Sequence, residues 1–294
     1  MIAFRPVVPL MSRSAERLAR REAGFGRQDQ PMNDAQSFDA AMVTSAGLDL
    51  PVGALEGTLA VISGGSRGIG LAAASGIARL GATVVLLGKD GERTAAAAGA
   101  LVEQGLDAVG LSCDVADADS VARLQDALGR HGEPDVLVCS AGVMALPTAK
   151  TLRADDAEWD RVMGTNFDGV RRLVRLFGPG MAARRKGRII AVSACMGRMS
   201  GPGTHGGFAP YRISKAAVNA FVKNLAAETG QGSRGLFVDA MCPAHCRTDM
   251  GGADAPRSAD QGADTIVWLA ARTATAEAPL KTGLLWEDRA VVPW

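Results

Sequence analysis

The 294-residue chain has one tyrosine, and aromatic residues make up 4% of it. A core with so few rings has to be built from aliphatic side chains and alanine, and hydrophobic residues do reach 47%. Long apolar runs are missing. None approaches the roughly 20 residues that a membrane span needs. Charge of one sign is missing too, since the formal net charge is +1. Nothing in that balance points to a nucleic acid or a membrane surface as partner. Cysteine is scarce and odd in number: Cys113, Cys139, Cys195, Cys242 and Cys246. Four of the five lie in apolar, strand-like runs, which fits reduced thiols in a cytoplasmic protein better than a disulfide framework. Cys242 and Cys246 flank His245 in "CPAHC", yet the further ligands of a zinc site are absent. No metal is expected.

Residues 1 to about 55 differ from the rest. "MSRSAERLARREAGFGRQDQPMNDAQS" is polar and arginine-rich and has no strand signal. The first 30 residues lack the 7–15-residue apolar core of a secretory signal. Glu16, Glu22 and Asp29 argue against an organellar transit peptide. The segment reads as a disordered N-terminal extension, or as a start placed upstream of Met11, Met32 or Met42, and a catalytic domain is expected over 56–294.

From Thr58 the texture changes. Short apolar, β-branched runs ("TLAVIS", "TVVLLG", "DAVGLSCDV", "PDVLVCSAG", "GRIIAVSA", "GLFVDAMCP") alternate with helical stretches such as "LAAASGIARLG", "DSVARLQDALGRHG" and "YRISKAAVNAFVKNLAAETG". Asp155 to Arg185 reads as a long helical region. This alternation implies βαβ units, hence a parallel, doubly wound sheet with helices on both faces. Strands covered on both faces should be continuously apolar, and these are. The tail adds a helix ("ADQGADTIVWLA") and one short strand within "TGLLWEDRAVVPW".

"SGGSRGIG" at 63–70 lies between the first strand and the first helix. Gly64, Gly68 and Gly70 give the spacing G-x-x-x-G-x-G. A pyrophosphate must approach backbone N–H groups at a helix N-terminus, and side chains there would block it. The loop therefore reads as a dinucleotide cradle. An NAD site usually puts an acid at the end of the second strand. Here that place holds Gly88 and Lys89, with Asp90 one step later. Arg67 is expected to project toward the same region. Two cations suit a 2′-phosphate, so NADP(H) is the expected cofactor.

"YRISK" sets Tyr211 and Lys215 at i and i+4, on one helix face. A neighbouring ammonium is expected to lower the phenol's pKa toward neutrality, letting it exchange a proton with a carbonyl or alcohol. Ser193 closes the strand "IIAVS" and can reach the same oxygen. Asn166, in the long helix, is unfavourable there without a partner. A water linking it to the lysine would supply one.

These motifs together resemble the short-chain dehydrogenase/reductase family over nearly all of 58–294, and the tail resembles its carbonyl-reductase-like branch. "CDV" at 113–115, "CSAG" at 139–142 and "CPAHCRTDM" at 242–250 extend the match. The resemblance implies a carbonyl–alcohol oxidoreductase. Tyr211 would be the general acid, Lys215 would tune it and bind the nicotinamide ribose, Ser193 would orient the carbonyl, and Asn166 would support the relay. Gly64, Ser66, Arg67, Gly68, Ile69, Gly70 and Lys89 would hold the phosphates. Asp114 and Val115 would lie at the adenine, Ala141 and Gly142 along the adenosine, and Pro243 and Thr248 at the nicotinamide. The substrate pocket is expected from 144–150, 194–210 and 250–260, and self-association from the helices of Asn166 and Tyr211.

Three departures stand out. The family's Asn-Asn-Ala-Gly is Cys139-Ser140-Ala141-Gly142. Its Pro-Gly after the sixth strand is Pro243-Ala244. The segment between Ser193 and Tyr211 is somewhat longer than usual. Two other activities compete on this scaffold: reduction of a conjugated C=C bond, and a silent NADP-sensing role. The presence of Tyr211 and Lys215 favours carbonyl chemistry.

Overall fold

A computed structural model of the chain describes residues 50–294 except 52, 130 and 274–279. The expected N-terminal extension falls almost wholly outside the described residues. Leu50 and Leu55, just before the first strand, already pack against the core.

The described elements alternate as expected. They run β1 (Leu59–Ser63), α1 (Gly68–Arg79), β2 (Thr83–Gly88), α2 (Gly91–Val102), β3 (Ala108–Ser112), α3 (Ala118–Ala122), α4 (Leu124–Leu128) and β4 (Val136–Cys139). There follow α5 (Asp156–Met163), a π turn (Gly164–Asp168), α6 (Gly169–Arg184), β5 (Gly187–Val192), α7 (Ala209–Glu228), β6 (Leu236–Met241), α8 (Ala259–Ala271), β7 (Leu285–Glu287) and β8 (Ala290–Val292). They form one sheet in the order β3-β2-β1-β4-β5-β6-β7-β8. Every pairing is parallel except the last. No helix among the described residues is long and apolar enough to cross a membrane.

Side chains alternate across a strand, and the two faces feed two separate cores. Ala60 and Ile62 of β1, Val84 and Leu86 of β2, and Val136 and Val138 of β4 meet α1, α2 and α8 on one side. Leu59, Val61, Val85, Leu87 and Leu137 meet α4, α6 and α7 on the other. Both faces are thus covered, which explains why the strands read as unbroken apolar runs.

Three local features differ from the sequence expectation. The helix expected over "DSVARLQDALGRHG" is two short helices that break at Arg123, the first capped by Asp117. The long helix over 155–185 contains the π turn at 164–168. The single terminal strand is a hairpin. Its turn residues Asp288 and Arg289 both have positive φ, 51° and 60°, as a two-residue hairpin of primed type needs. "DR" is not the Asn-Gly or Asp-Gly that signals such a turn. Here α8 supplies the hold: Arg289 donates to both carboxylate oxygens of Asp264, at 2.7 and 2.5 Å.

The hairpin end of the sheet rests on a buried charge. Asp239 of β6 accepts from Arg272 at 2.7 Å and from Trp286 Nε1 at 3.0 Å. The Arg272 guanidinium lies 5.0 Å from the Trp268 ring and 4.7 Å from that of Trp286. Burial pushes the Asp239 carboxyl up against the pull of Arg272. Removing one member of such a pair strands the other. Asp239→Ala is expected to lower stability by about 3–5 kcal/mol, read as a shifted urea midpoint with an unchanged slope.

Candidate active site

The strand order reverses between β1 and β4. In open α/β sheets ligands bind at that switch point, outside the C-terminal ends of the strands. The glycine loop lies there. Gly64 has φ +67°, and a Cβ on it would come 2.8 Å from the Ala141 nitrogen. A Cβ on Gly70 would strike the Gly64 carbonyl oxygen. The first turn of α1 carries no acidic residue, so its positive end is free to face an anion. These residues fit a dinucleotide pyrophosphate.

Several of the other expected cofactor residues lie near this loop or near one another. Ser66 lies at the end of β2, where a Cβ on Gly88 would be 3.3 Å from its Oγ. A Cβ on Gly68 would be 3.2 Å from Thr248. Ile69 and Pro243 close around Gly262, whose Cβ would sit 3.5 and 3.4 Å from them. Val115 is buried. Lys89 forms a 2.9 Å ion pair with Asp114. Arg67 departs from expectation: it pairs with Asp249, on the segment after β6, instead of turning toward Lys89. Asp90 caps α2, accepting from the Arg93 N–H at 3.0 Å, and also pairs with the Arg93 guanidinium.

Across the cleft, the π turn, the end of β5 and α7 bring four side chains together. Asn166 sits in the π turn and is fully buried. Its Oδ1 accepts from the Val143 N–H at 2.7 Å, and its Nδ2 donates to the Val143 carbonyl and to Ser214 Oγ, each at 3.0 Å. It is thereby tied to the loop after β4 and to α7. π turns often mark functional positions, and this one aims an amide across the cleft. With Ser63 Oγ, which accepts from the Ala141 N–H at 3.2 Å, it steadies the loop that lacks the family's two asparagines.

Lys215 donates to the Val192 carbonyl at 2.7 Å, its ammonium 5.8 Å from the Tyr211 ring centre. A Cβ on Gly142 would lie 3.4 Å from Asn166 Oδ1 and 3.6 Å from Lys215 Nζ. Burial pushes Lys215 down to about 8. The expected lowering of the Tyr211 pKa is not what the geometry gives. Burial pushes that phenol above its usual range, and the Cys242 and Cys195 thiols beside it add to the rise. Tyr211 is protonated at neutral pH.

The Ser193 hydroxyl donates to Asn219 Oδ1 at 2.6 Å, and Asn219 Nδ2 donates to the Gly197 carbonyl at 3.1 Å. Sequence reasoning missed Asn219 and Ser214. Both were within reach: residues 211, 215 and 219 share one helix face by i, i+4 spacing. The argument that singled out a helix-interior Asn166 applies equally to Asn219. Ala244, where the family has glycine, has φ +57°, a left-handed backbone that costs a residue with a Cβ roughly 1–2 kcal/mol. His245, Cys242 and Cys246 do not converge. His245 bonds the Gly251 carbonyl, and Cys246 the Pro243 carbonyl.

Lys215 has a stability signature. Its folded pKa of about 8 lies below the ordinary 10.5. Between those values the unfolded chain binds more protons, so stability rises with pH through that window. Lys215→Met removes this dependence. Wild type is expected to gain about 3 kcal/mol on the variant between pH 7 and 10.5, measured by paired denaturant titrations.

Residues 58–259 match the short chain dehydrogenase family. A 3-oxoacyl-[acyl-carrier-protein] reductase of Pseudomonas aeruginosa is 34% identical over 197 residues, which are 67% of this chain and 76% of the relative. A gluconate 5-dehydrogenase of Gluconobacter oxydans is 32% identical over 197 residues, 67% of this chain and 74% of the relative. A metagenomic short-chain oxidoreductase, solved in complex with NADP, superposes with a TM-score of 0.64 at 32% identity, covering 75% of this chain and 93% of that one. With the glycine loop at the strand-order switch and Tyr211 beside Lys215 on α7, the chain belongs to the short-chain dehydrogenase family and is an oxidoreductase.

Proposed function

We propose that the protein is an NADPH-dependent reductase of ketones or aldehydes, working reversibly on the corresponding alcohols, with Tyr211 as the proton donor. One observation carries this reading: a buried, protonated phenol beside a buried ammonium, at the end of the strand that carries Ser193. The bound nicotinamide supplies the hydride. The protein holds the carbonyl oxygen and gives it a proton. Ser193 turns its hydroxyl from Asn219 to the substrate oxygen. Tyr211 transfers its proton to that oxygen as charge develops there. Lys215 stabilises the phenolate left behind. A phenol whose pKa is raised stays protonated at neutral pH, the form that can donate a proton in the reductive direction.

NADPH over NADH is supported by Lys89 at the end of β2 and by the use of Asp90 as a helix cap. Asp90 is thereby committed to α2 rather than to a ribose hydroxyl. NADP in a solved relative agrees with this reading. Both cations are neutralised as they stand, Lys89 by Asp114 and Arg67 by Asp249. A 2′-phosphate would compete with Asp249 for that guanidinium.

The substrate end is apolar. Tyr211 packs with Ala145, Ala149 and Val162, and Met144, Met196 and Phe208 lie against them. A moderately hydrophobic carbonyl compound suits this wall. Partly buried Phe167 and Phe221, edge to face at 6.0 Å, lie beside the helices through which we expect two copies to pair.

Tyr211→Phe should cut NADPH-dependent turnover of a ketone and aldehyde panel by about three orders of magnitude, while NADPH binding, followed by fluorescence, stays intact. Wild type should show a lower KM for NADPH than for NADH at similar kcat. Lys89→Ala should erase most of that preference by raising the NADPH KM about tenfold.

A further inference from the structure

β5 and β6 run side by side in register, Ala191 opposite Ala240 and Val192 opposite Met241. The Ser193 N–H extends the ladder to the Met241 carbonyl at 2.7 Å. Immediately beyond, the chain turns at Cys195–Gly197, while Cys242 continues β6. Strands in a sheet are about 4.8 Å apart, so the turn at the end of β5 starts beside the end of β6, and Cys195 and Cys242 come close enough for each thiol to bear on the other's proton. Neither is in a disulfide. Cys195 is partly exposed, whereas Cys242 is 1% exposed and also accepts the Ala244 N–H at 3.4 Å.

We propose that Cys195 and Cys242 form a thiol modification site at the substrate end of the cleft, which hydroperoxides oxidise to an intramolecular disulfide. The Cys195 thiolate attacks the hydroperoxide. An S–O bond forms, the O–O bond breaks, and an alcohol or water departs with the proton. The Cys242 sulfur then attacks the Cys195 sulfenic acid. The S–S bond forms and hydroxide leaves, taking the Cys242 proton as water. Two thiols lose two electrons, which reduce one hydroperoxide. A dithiol reverses the change by exchange.

The roles follow from the surroundings. The hydrogen bond from Cys242 pulls Cys195 down to about 6, against the opposing effects of burial and Glu287. Burial pushes Cys139 up to about 12, and raises Cys113 and Cys246 as well. Cys195 alone combines access with thiolate character, and the buried Cys242 is placed to resolve it.

The disulfide would reach the catalytic serine through the turn. Gly197 packs so closely on Lys215 that a Cβ there would lie 2.7 Å from the lysine's backbone carbon. The Gly197 carbonyl holds Asn219, which in turn holds Ser193. Drawing Cys195 onto Cys242 tugs this chain of bonds, and the glycine loop at the other end of the cleft is untouched. Oxidation should therefore lower turnover and leave cofactor binding intact. This effect on turnover rests on the reductase reading; the disulfide does not.

The test treats the full chain with hydrogen peroxide and maps unreduced tryptic peptides. The expected result is one cross-link joining the Cys195 and Cys242 peptides within a single molecule, with the other three thiols free and dithiothreitol restoring all five. Turnover should fall at least about tenfold with NADPH affinity unchanged, and Cys195→Ser should keep its turnover through the same treatment. Absence of the cross-link, Cys195 stopping at the sulfinic acid, or equal inactivation of Cys195→Ser would overturn the proposal. If untreated wild type reduces no carbonyl, the reductase reading fails, and the cross-link still decides the thiol pair.

Discussion

Lys215 carries an ammonium into the interior with no carboxylate beside it. Among the described residues it makes no ion pair, and its one strong bond is to the Val192 carbonyl. A buried charge of this kind is costly, and much of the surrounding structure is arranged around keeping it. β5 ends so that its last carbonyl points at Nζ. Gly142 has no Cβ, which opens the space shared by Nζ and Asn166. Cys139, where the family has asparagine, is neutral at its raised pKa of about 12 and adds no counter-charge. The same burial raises the phenol and lowers the ammonium, so the two pKa values are pushed past each other. In the proposed reaction Tyr211 is therefore the acid, and Lys215 stabilises the anion it leaves.

The parts of the site that follow from local rules were legible in the sequence. The glycine loop announces itself because steric exclusion around a phosphate permits few residues. Tyr211 and Lys215 are visible as an i, i+4 pair. The two cores could be read from strand runs that lack alternation. What escaped depends on contacts far apart in the chain. The Arg67–Asp249 pair spans 182 positions, and no local rule forecasts it. The π turn leaves no periodic signature because it inserts one residue into an otherwise regular helix. The terminal hairpin uses Asp288 and Arg289 in left-handed conformations that neither residue advertises, and it holds because α8 binds the turn.

Asn219 is a different kind of miss. Its position on the Tyr211–Lys215 face was open to inspection, and its burial follows from the same helical geometry. Its importance appears once Ser193 is seen to donate to it. A serine at a strand end is ordinarily a local cap. Here its proton is directed sideways into α7, and from there to the turn at Gly197. The serine is thus positioned by the helix that carries the tyrosine, which ties the two groups that meet one substrate oxygen in the proposed reaction.

The two ends of the cleft differ in what holds them. At the glycine-loop end, Arg67 and Lys89 are exposed and paired with carboxylates, which the phosphate of the proposed cofactor would displace. Exposed pairs of this sort contribute little to stability, so exchanging a carboxylate for a phosphate costs little. At the substrate end the bonds are buried, neutral and linked in series from Gly197 through Asn219 to Ser193. Such a network rigidifies when every member is satisfied. On the proposed mechanism, exchange of the cofactor at one end would leave the hydrogen-bonded series at the other in place. The turn at Cys195–Gly197 and the serine meet through Asn219 alone among these side chains, so the position of the turn bears on the direction of the Ser193 hydroxyl.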